Sequence, residues 1–258
     1  MSTIHPTAIV SPKAKLGENV IVEPFAWIHD NVEIGKDCWI GPHVIIYDGA
    51  RIGNEVKIYQ SASISHQPQD KKYNNEETFC YIGDKSRIHE FATIHRGTSG
   101  TGKTTLGKNV LIMAYAHVAH DCVIGDNCIL ANAVQLGGFT QVDDWAIIGG
   151  SVPVHQFVKI GKHVIIGGGT KIGKDIPPFI MAAGEPIKYY GPNLVGLKRR
   201  GFTSDQLEKI KTIYKIIYDS HLNFSQAKDK LVNEMPEDIL AKEVVDFMNR
   251  STRGLIGK

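Results

Sequence analysis

The chain has 258 residues, 42% of them hydrophobic and 22% charged, and a formal net charge of +2. These values exclude a disordered chain and argue against a broadly basic nucleic-acid binder, so no nucleic-acid partner is expected. Four cysteines are too few for a disulfide scaffold, and no run of 18 apolar residues could form a transmembrane segment. No charged-then-apolar leader opens the sequence, which makes a cytoplasmic location the expectation.

A period of six dominates the chain from its start. Stepping by six from Ile4 to Ile172 visits 29 positions, of which 26 are Ile, Leu or Val; the exceptions are Asp70, Glu76 and Gly100. Chance would give roughly seven such residues. Two residues before each step stands a small residue, Ala, Val, Cys, Ser or Thr, except at Pro68 and Asn74. Cys38, Cys80, Cys122 and Cys128 all fall on this small-residue step, so they read as packing and not as nucleophiles. The residue just after the aliphatic one is often glycine, as at Gly17, Gly35, Gly53 and Gly125. That glycine is expected to permit backbone angles that side chains resist.

Six residues suit a coil of short flat sides and tight corners, three sides per turn. About ten coils, stacked at ~4.8 Å, would make a prism roughly 45–50 Å long. The aliphatic exceptions mark two excursions from this wall, near residues 67–78 and 97–105. The repeat ends before Pro177 and Pro178, a connector follows, and the period then turns helical. Thr203 with Gln206 reads as a capping box ahead of Leu207, Ile210, Tyr214, Ile217 and Tyr218. Ser225 is the expected cap of a second helix, and Pro236 the first residue of a third. The domains are thus 1–178, the repeat wall, and 179–258, the connector with the helices. The second carries 13 Lys and Arg against 10 Asp and Glu.

Gly97–Thr104 satisfies the phosphate-loop pattern G-x-x-x-x-G-K-[ST], but Leu106, Gly107 and Ile112 continue the six-residue frame where a helix would be required. It reads as a flexible glycine-rich loop. His117 and His120 flank the interior Val118, with Asp121 alongside. One turn is 18 residues, so His120, Gly138 and Gln156 share a column, with His155 beside it. A histidine base and a glycine N–H on one stripe are what acyl transfer requires. A zinc site is the rival reading of the histidines, but a third ligand would have to come from elsewhere.

The repeat resembles the hexapeptide-repeat family, which implies a mainly β fold: a left-handed parallel β-helix, here with a C-terminal α-helical domain. Generic crossover rules favour the opposite hand, so the left hand rests on the resemblance. Further runs narrow the match: Gln69-Asp70-Lys71-Lys72-Tyr73, Ile94-His95-Arg96-Gly97, Ala116 to Asp121, Val154-His155-Gln156-Phe157, Gly196 to Gly201 and Arg250 to Leu255. Together they resemble the UDP-N-acetylglucosamine 3-O-acyltransferases, which carry out the first step of lipid A biosynthesis. The resemblance implies direct transfer of a 3-hydroxyacyl chain from acyl carrier protein to UDP-N-acetylglucosamine in a homotrimer, with no cofactor and no metal. It implies His120 as general base, Asp121 as its support and the Gly138 N–H as oxyanion donor. It makes Gln69, Asp70, Lys72, His117, His155 and Gln156 nucleotide-sugar contacts, and brings His95 to the pantetheine arm or the phosphates. Asn193, Arg199 and Arg200 resemble the uridine and phosphate contacts.

Two positions depart from the resemblance or tune it. Phe139 stands where relatives carry histidine, and Gly168 occupies the acyl-length ruler, so a long donor of fourteen carbons or more is expected. The runner-up is the sister N-acyltransferase of the same pathway, which has an additional N-terminal domain; the repeat frame here starts at Ile4. The alternative from another class is a zinc-binding hexapeptide protein of carbonic-anhydrase type.

Overall fold

The computed structural model describes residues 2–258. Strands two to four residues long alternate with tight corners to give three parallel sheets, running from Thr3–Ile4 to Ile165–Ile166, from Ile9–Val10 to Pro153–Val154, and from Lys15–Leu16 to Lys159–Ile160. Away from the two excursions, each strand pairs with the strand 18 residues on, as Ile4 with Val22 and Ile28 with Ile46. The architecture is a left-handed β-helix with a helical domain at its C-terminal end.

The six-residue period follows from what each position meets. The aliphatic steps point inward and are buried, Ile28, Ile40, Ile58, Ile88 and Leu130 completely. Burying each such side chain stabilises the fold by about 1.5–3 kcal/mol before entropy is counted. The small-residue steps, such as Ala26, Cys38, Val44 and Cys128, fill the corners of the same core. Burial pushes the thiols of Cys80, Cys122 and Cys128 up to about 12, so none is a thiolate at neutral pH.

The glycines after the aliphatic step have a different reason from the expected one. The left-handed backbone lies two residues later, on Asn19, Asp37, Glu55 and Asn127. The glycines are required by close approach instead. A Cβ at Gly35 would lie 2.6 Å from the carbonyl oxygen of Gly53, and one at Gly125 2.7 Å from the backbone nitrogen of Asp144. The neighbouring coil, one strand spacing away, leaves no room there.

The wall is also shorter than expected, with eight complete turns and a ninth begun. Lys57 pairs with Arg87, thirty residues on, and Arg87 with Leu111, twenty-four on. Two excursions of twelve and six residues therefore absorb one turn of sequence, and the prism is ~40 Å long. The second is shorter than the sequence reading, because Lys103–Leu106 is already a strand paired with Phe79–Ile82. Both leave the same edge, between the second and third sheets.

At the C-terminal end, strand Ile180–Ala183 extends the first sheet and pairs antiparallel with Lys188–Pro192. Helices α1 (Leu194–Arg199), α2 (Ser204–Asp219), α3 (Phe224–Glu234) and α4 (Ile239–Arg250) follow. Thr203 and Gln206 form the expected capping box of α2. The other starts differ: Asn223 caps α3 through a box with Gln226, and Asp238 caps α4 by accepting from Leu240 and Ala241. The side-chain oxygens of Asn223 and Asp238, each two residues from the expected Ser225 and Pro236, set these helix starts.

The run Arg250 to Leu255 clasps this domain to the wall. Asp175, fully buried, accepts from the Ser251 hydroxyl at 2.7 Å and from the N–H groups of Thr252 and Arg253 at 2.9 and 3.0 Å. It also accepts from Lys159 N–H at 2.7 Å, while Arg250 pairs with Asp143. Among the described residues, no helix is long and apolar enough to cross a membrane.

Candidate active site

The corner after strand His117–Val118 carries His120 and Asp121, immediately above the two excursions. Asp121 adopts left-handed backbone (φ 61°), which turns its carboxylate back under the corner, where its side chain is fully buried. Five donors converge on that carboxylate. His120 Nδ1 lies 2.7 Å from Oδ2, the Thr98 hydroxyl donates to Oδ2 at 2.7 Å, and Thr98 N–H reaches both oxygens at 3.2 Å. Thr101 donates through its N–H at 3.1 Å and through its hydroxyl. Burial pushes the Asp121 carboxyl up, but the hydrogen bonds from His120, Thr101 and Thr98 outweigh it and hold it below the usual carboxylate range.

An ionised carboxylate only accepts, so its contact with Nδ1 places the imidazole proton there and leaves Nε2 with its lone pair. His120 is mostly buried, its side chain 15% exposed, and lines a cavity of about 370 Å³. Gln69, His95, His117, Gln135, Gly137 and Gly138 share that cavity. Gly138 packs against the imidazole so closely that a Cβ would lie 2.6 Å from Cε1 and 2.8 Å from Nε2. Among the described residues, no acceptor takes the Gly138 N–H.

The column read from the 18-residue turn is present. Phe139 N–H donates to the His120 carbonyl at 3.1 Å, and Phe157 N–H to the Gly138 carbonyl at 3.0 Å. Phe139 meets the His120 ring edge to face, with centroids 5.4 Å apart, and stacks on Phe157 at 4.9 Å. Phe139 thus gives the His120 ring an apolar wall. His155 and Gln156 sit exposed at the next corner up.

His117 and His95 come from the second sheet. His117 Nδ1 is 2.7 Å from the Thr93 hydroxyl, and burial, with His120 nearby, pushes its pKa down. His95 is 3% exposed and its Nδ1 has no partner. Burial, with His117, His66 and His120 nearby, pushes its pKa down to about 3. His95 is therefore neutral near pH 7, and what it can offer the cavity is a hydrogen bond, not a charge.

That burial carries a stability consequence. Below pH ~6.5 the unfolded chain takes up a proton at His95 that the folded chain refuses, so stability falls as pH drops from about 6.5 toward 3. At pH 5 the loss from this group is about 2 kcal/mol. His95→Gln should lose less melting temperature between pH 7 and pH 5 than the parent; equal losses in paired thermal melts would refute this.

The remaining predicted residues are dispersed. Gln69 reaches the cavity, whereas Lys72 is exposed and Asp70 uses Oδ1 to accept from Lys72 N–H at 2.9 Å. Asn193 already has partners within the chain. It is 1% exposed and caps α1, accepting from Gly196 N–H at 3.1 Å and donating to the His163 carbonyl at 2.8 Å. Arg199 is exposed, and Arg200 stacks over Trp145 at 5.1 Å beside a separate cavity lined by Asn109 and Ile129 of the first sheet's side. Gly168 lies at an exposed corner above Gly150. A further cavity of about 480 Å³, lined by Lys171, Lys174, Glu185 and Lys188, shares no residue with the His120 cavity. Among the described residues, no three His, Cys, Asp or Glu side chains come together to hold a metal ion.

Thr98 and Thr101 were not read from the sequence as site residues. The available signal was the phosphate-loop pattern itself, a glycine-rich turn rich in hydroxyls one coil below Asp121. The loop does wrap an anion, and the anion is Asp121.

Comparison with known proteins decides the family. A model described as UDP-N-acetylglucosamine O-acyltransferase, domain 2, matches residues 175–256, and one for the bacterial transferase hexapeptide matches residues 31–66 and 103–138. An acyl-[acyl-carrier-protein]–UDP-N-acetylglucosamine O-acyltransferase of Thiobacillus denitrificans is 45% identical over 99% of this chain and all of its own. The chain belongs to the UDP-N-acetylglucosamine O-acyltransferase family. Its counterpart in Burkholderia mallei is 47% identical over 99% of this chain and all of its own length. Among solved structures, the family's Francisella novicida member superposes with a TM-score of 0.97 at 39% identity, covering 99% of this chain and 94% of that one. The Bacteroides fragilis member superposes at 0.96 with 45% identity over 98% of this chain and all of that one.

Proposed function

We propose that the chain transfers an (R)-3-hydroxyacyl group from acyl carrier protein to the 3-hydroxyl of UDP-N-acetylglucosamine, the first step of lipid A biosynthesis. The observation that carries the mechanism is the buried His120–Asp121 pair facing a cavity beside a free Gly138 N–H. His120 Nε2 takes the proton of the sugar hydroxyl as its oxygen attacks the thioester carbon. The oxyanion that forms is met by the Gly138 N–H, a contribution on the order of 3 kcal/mol in such sites. Collapse breaks the carbon–sulfur bond, and the imidazolium returns its proton to the departing pantetheine sulfur. No acyl-enzyme is needed, in keeping with four buried thiols.

A homotrimer accounts for the dispersal of the arginines. Arg200 and His120 lie on different sides of the prism, so one copy does not join them; a neighbouring copy packed against the second sheet would. Gln69, His117, His155 and Gln156 then line the sugar-nucleotide side. The basic helical domain would face the acidic carrier protein. Incubating the protein with UDP-N-acetylglucosamine and a 3-hydroxyacyl carrier protein tests the reading, with acylated sugar nucleotide as the product. Product on a glucosamine amine would favour the N-acyltransferase, and stoichiometric zinc without transfer the anhydrase-type protein.

At Gly168 a Cβ would lie 3.1 Å from the Gly150 carbonyl oxygen, a tight contact that asks the neighbouring corner to give by a few tenths of an ångström. Donors of fourteen carbons or more should be preferred, and Gly168→Met should move the preference toward ten. Steady-state kcat/KM across donor lengths decides this; a parent preference for ten carbons would refute it.

A further inference from the structure

The second excursion is built around one carboxylate. Its backbone is anchored at several points: Gly97 N–H donates to the Phe79 carbonyl at 3.1 Å, Gly102 N–H to the Thr98 carbonyl at 2.7 Å, and Ser99 N–H to Glu76 Oε1 at 2.9 Å. The Thr98 hydroxyl accepts from Gly100 N–H at 3.1 Å, which directs its own proton to Asp121. Thr104 accepts the Asp121 N–H at 2.8 Å, fixing the corner from below. None of these contacts touches the cavity, and the strands on either side pair without them. Their shared effect is on Asp121.

We propose that Thr98 and Thr101 are positioning residues for the transfer: acting through Asp121, they hold its carboxylate in place and share its charge, and so set how strongly it grips His120. This rests on the acyl-transfer reading above. A carboxylate offers about four lone-pair directions, and five donor groups converge here. Charge drawn toward the threonines is not available to the imidazole. Without one hydroxyl, Asp121 becomes a stronger acceptor for Nδ1–H, and the His120–Asp121 pair keeps an added proton to higher pH. Around the pair stand His95 and His117 from the second sheet, Glu76 from the first excursion and Cys122 next in the chain. His95 and Cys122 stay neutral and Glu76 stays ionised across pH 5 to 8, while His117, whose pKa is pushed down by burial and by His120, makes its hydrogen bond to Thr93 and not to Thr98.

The test compares pH profiles of kcat/KM for Thr98→Val, Thr98→Ser and Thr101→Val, with thermal melts as a check on folding. The valine variants should lose about tenfold in kcat, keep KM for the sugar nucleotide, and show an acid limb displaced upward by about half a pH unit. The serine variant should behave as the parent. In an Asp121→Asn background, Thr98→Val should cost nothing further. An unmoved acid limb in both valine variants, whatever their rate, or full additivity with Asp121→Asn, would overturn the proposal. The His120 ring nitrogens followed by NMR without substrate read the same displacement, so a failure of acyl transfer and a failure of the Thr98 effect remain separate results.

Discussion

His120→Ala should lower kcat by between about a hundredfold and ten-thousandfold while leaving KM for both substrates nearly unchanged. In the proposed reaction the base acts on a proton that moves only in the transition state, so its loss falls on the chemical step. The fold should survive, because Asp121 keeps the donors of Thr98 and Thr101 and is not left as an uncompensated buried charge. Product formation followed by mass spectrometry, beside a melting curve, checks both halves. A rate within fivefold of the parent would mean that another group accepts the proton.

Gly138→Ala should be nearly as damaging to transfer, by about a hundredfold, and nearly silent in stability. Its backbone lies outside the left-handed region, and the three atoms nearest the new Cβ all belong to the imidazole of His120, the first at 2.6 Å. A side chain can yield where backbone cannot, so the ring is displaced and the fold persists. The alanine retains its N–H, so the lost activity would report the misplaced base and not a missing oxyanion donor. Misplacing a reacting group by about 1 Å is enough for a loss of that size. Near-parental turnover would show that His120 tolerates a shifted ring, and a large fall in melting temperature would show that Gly138 is structural.

The wall was legible because each of its positions meets a repeated environment, and a repeated environment leaves a periodic sequence. The column of His120, Gly138 and Gln156 followed from that regularity by counting one turn. What the period could not convey was the cause of its own glycines, because close approach between coils and left-handed backbone both favour glycine, and only coordinates separate them. The number of coils was overestimated because excursions of twelve and six residues preserve the step of six and hide in it. The helix starts at Asn223 and Asp238 were missed because Ser225 and Pro236 satisfy the same local rules nearby.

In the site, Thr98 and Thr101 were invisible as partners of Asp121 because the contact spans more than a full turn and runs through an irregular loop. The burial of His95 was equally hidden: the same step after an aliphatic residue is exposed at His155 and buried at His95. Asn193 has a structural part that its motif did not convey: its amide oxygen caps the first turn of α1 and its amide nitrogen donates to the His163 carbonyl.

Both excursions depart from and return to one edge of the prism, the edge that holds His120. Neighbouring strands still pair across them, so the chain can be lengthened or shortened there, outside the turn that holds Asp121, without any inward aliphatic residue changing its neighbours. Selection can therefore act on what the cleft accepts and on how well the molecule folds as two nearly independent traits. Variation among descendants should accumulate at this single seam, and a designer seeking new specificity could splice segments there while leaving the remaining two edges untouched.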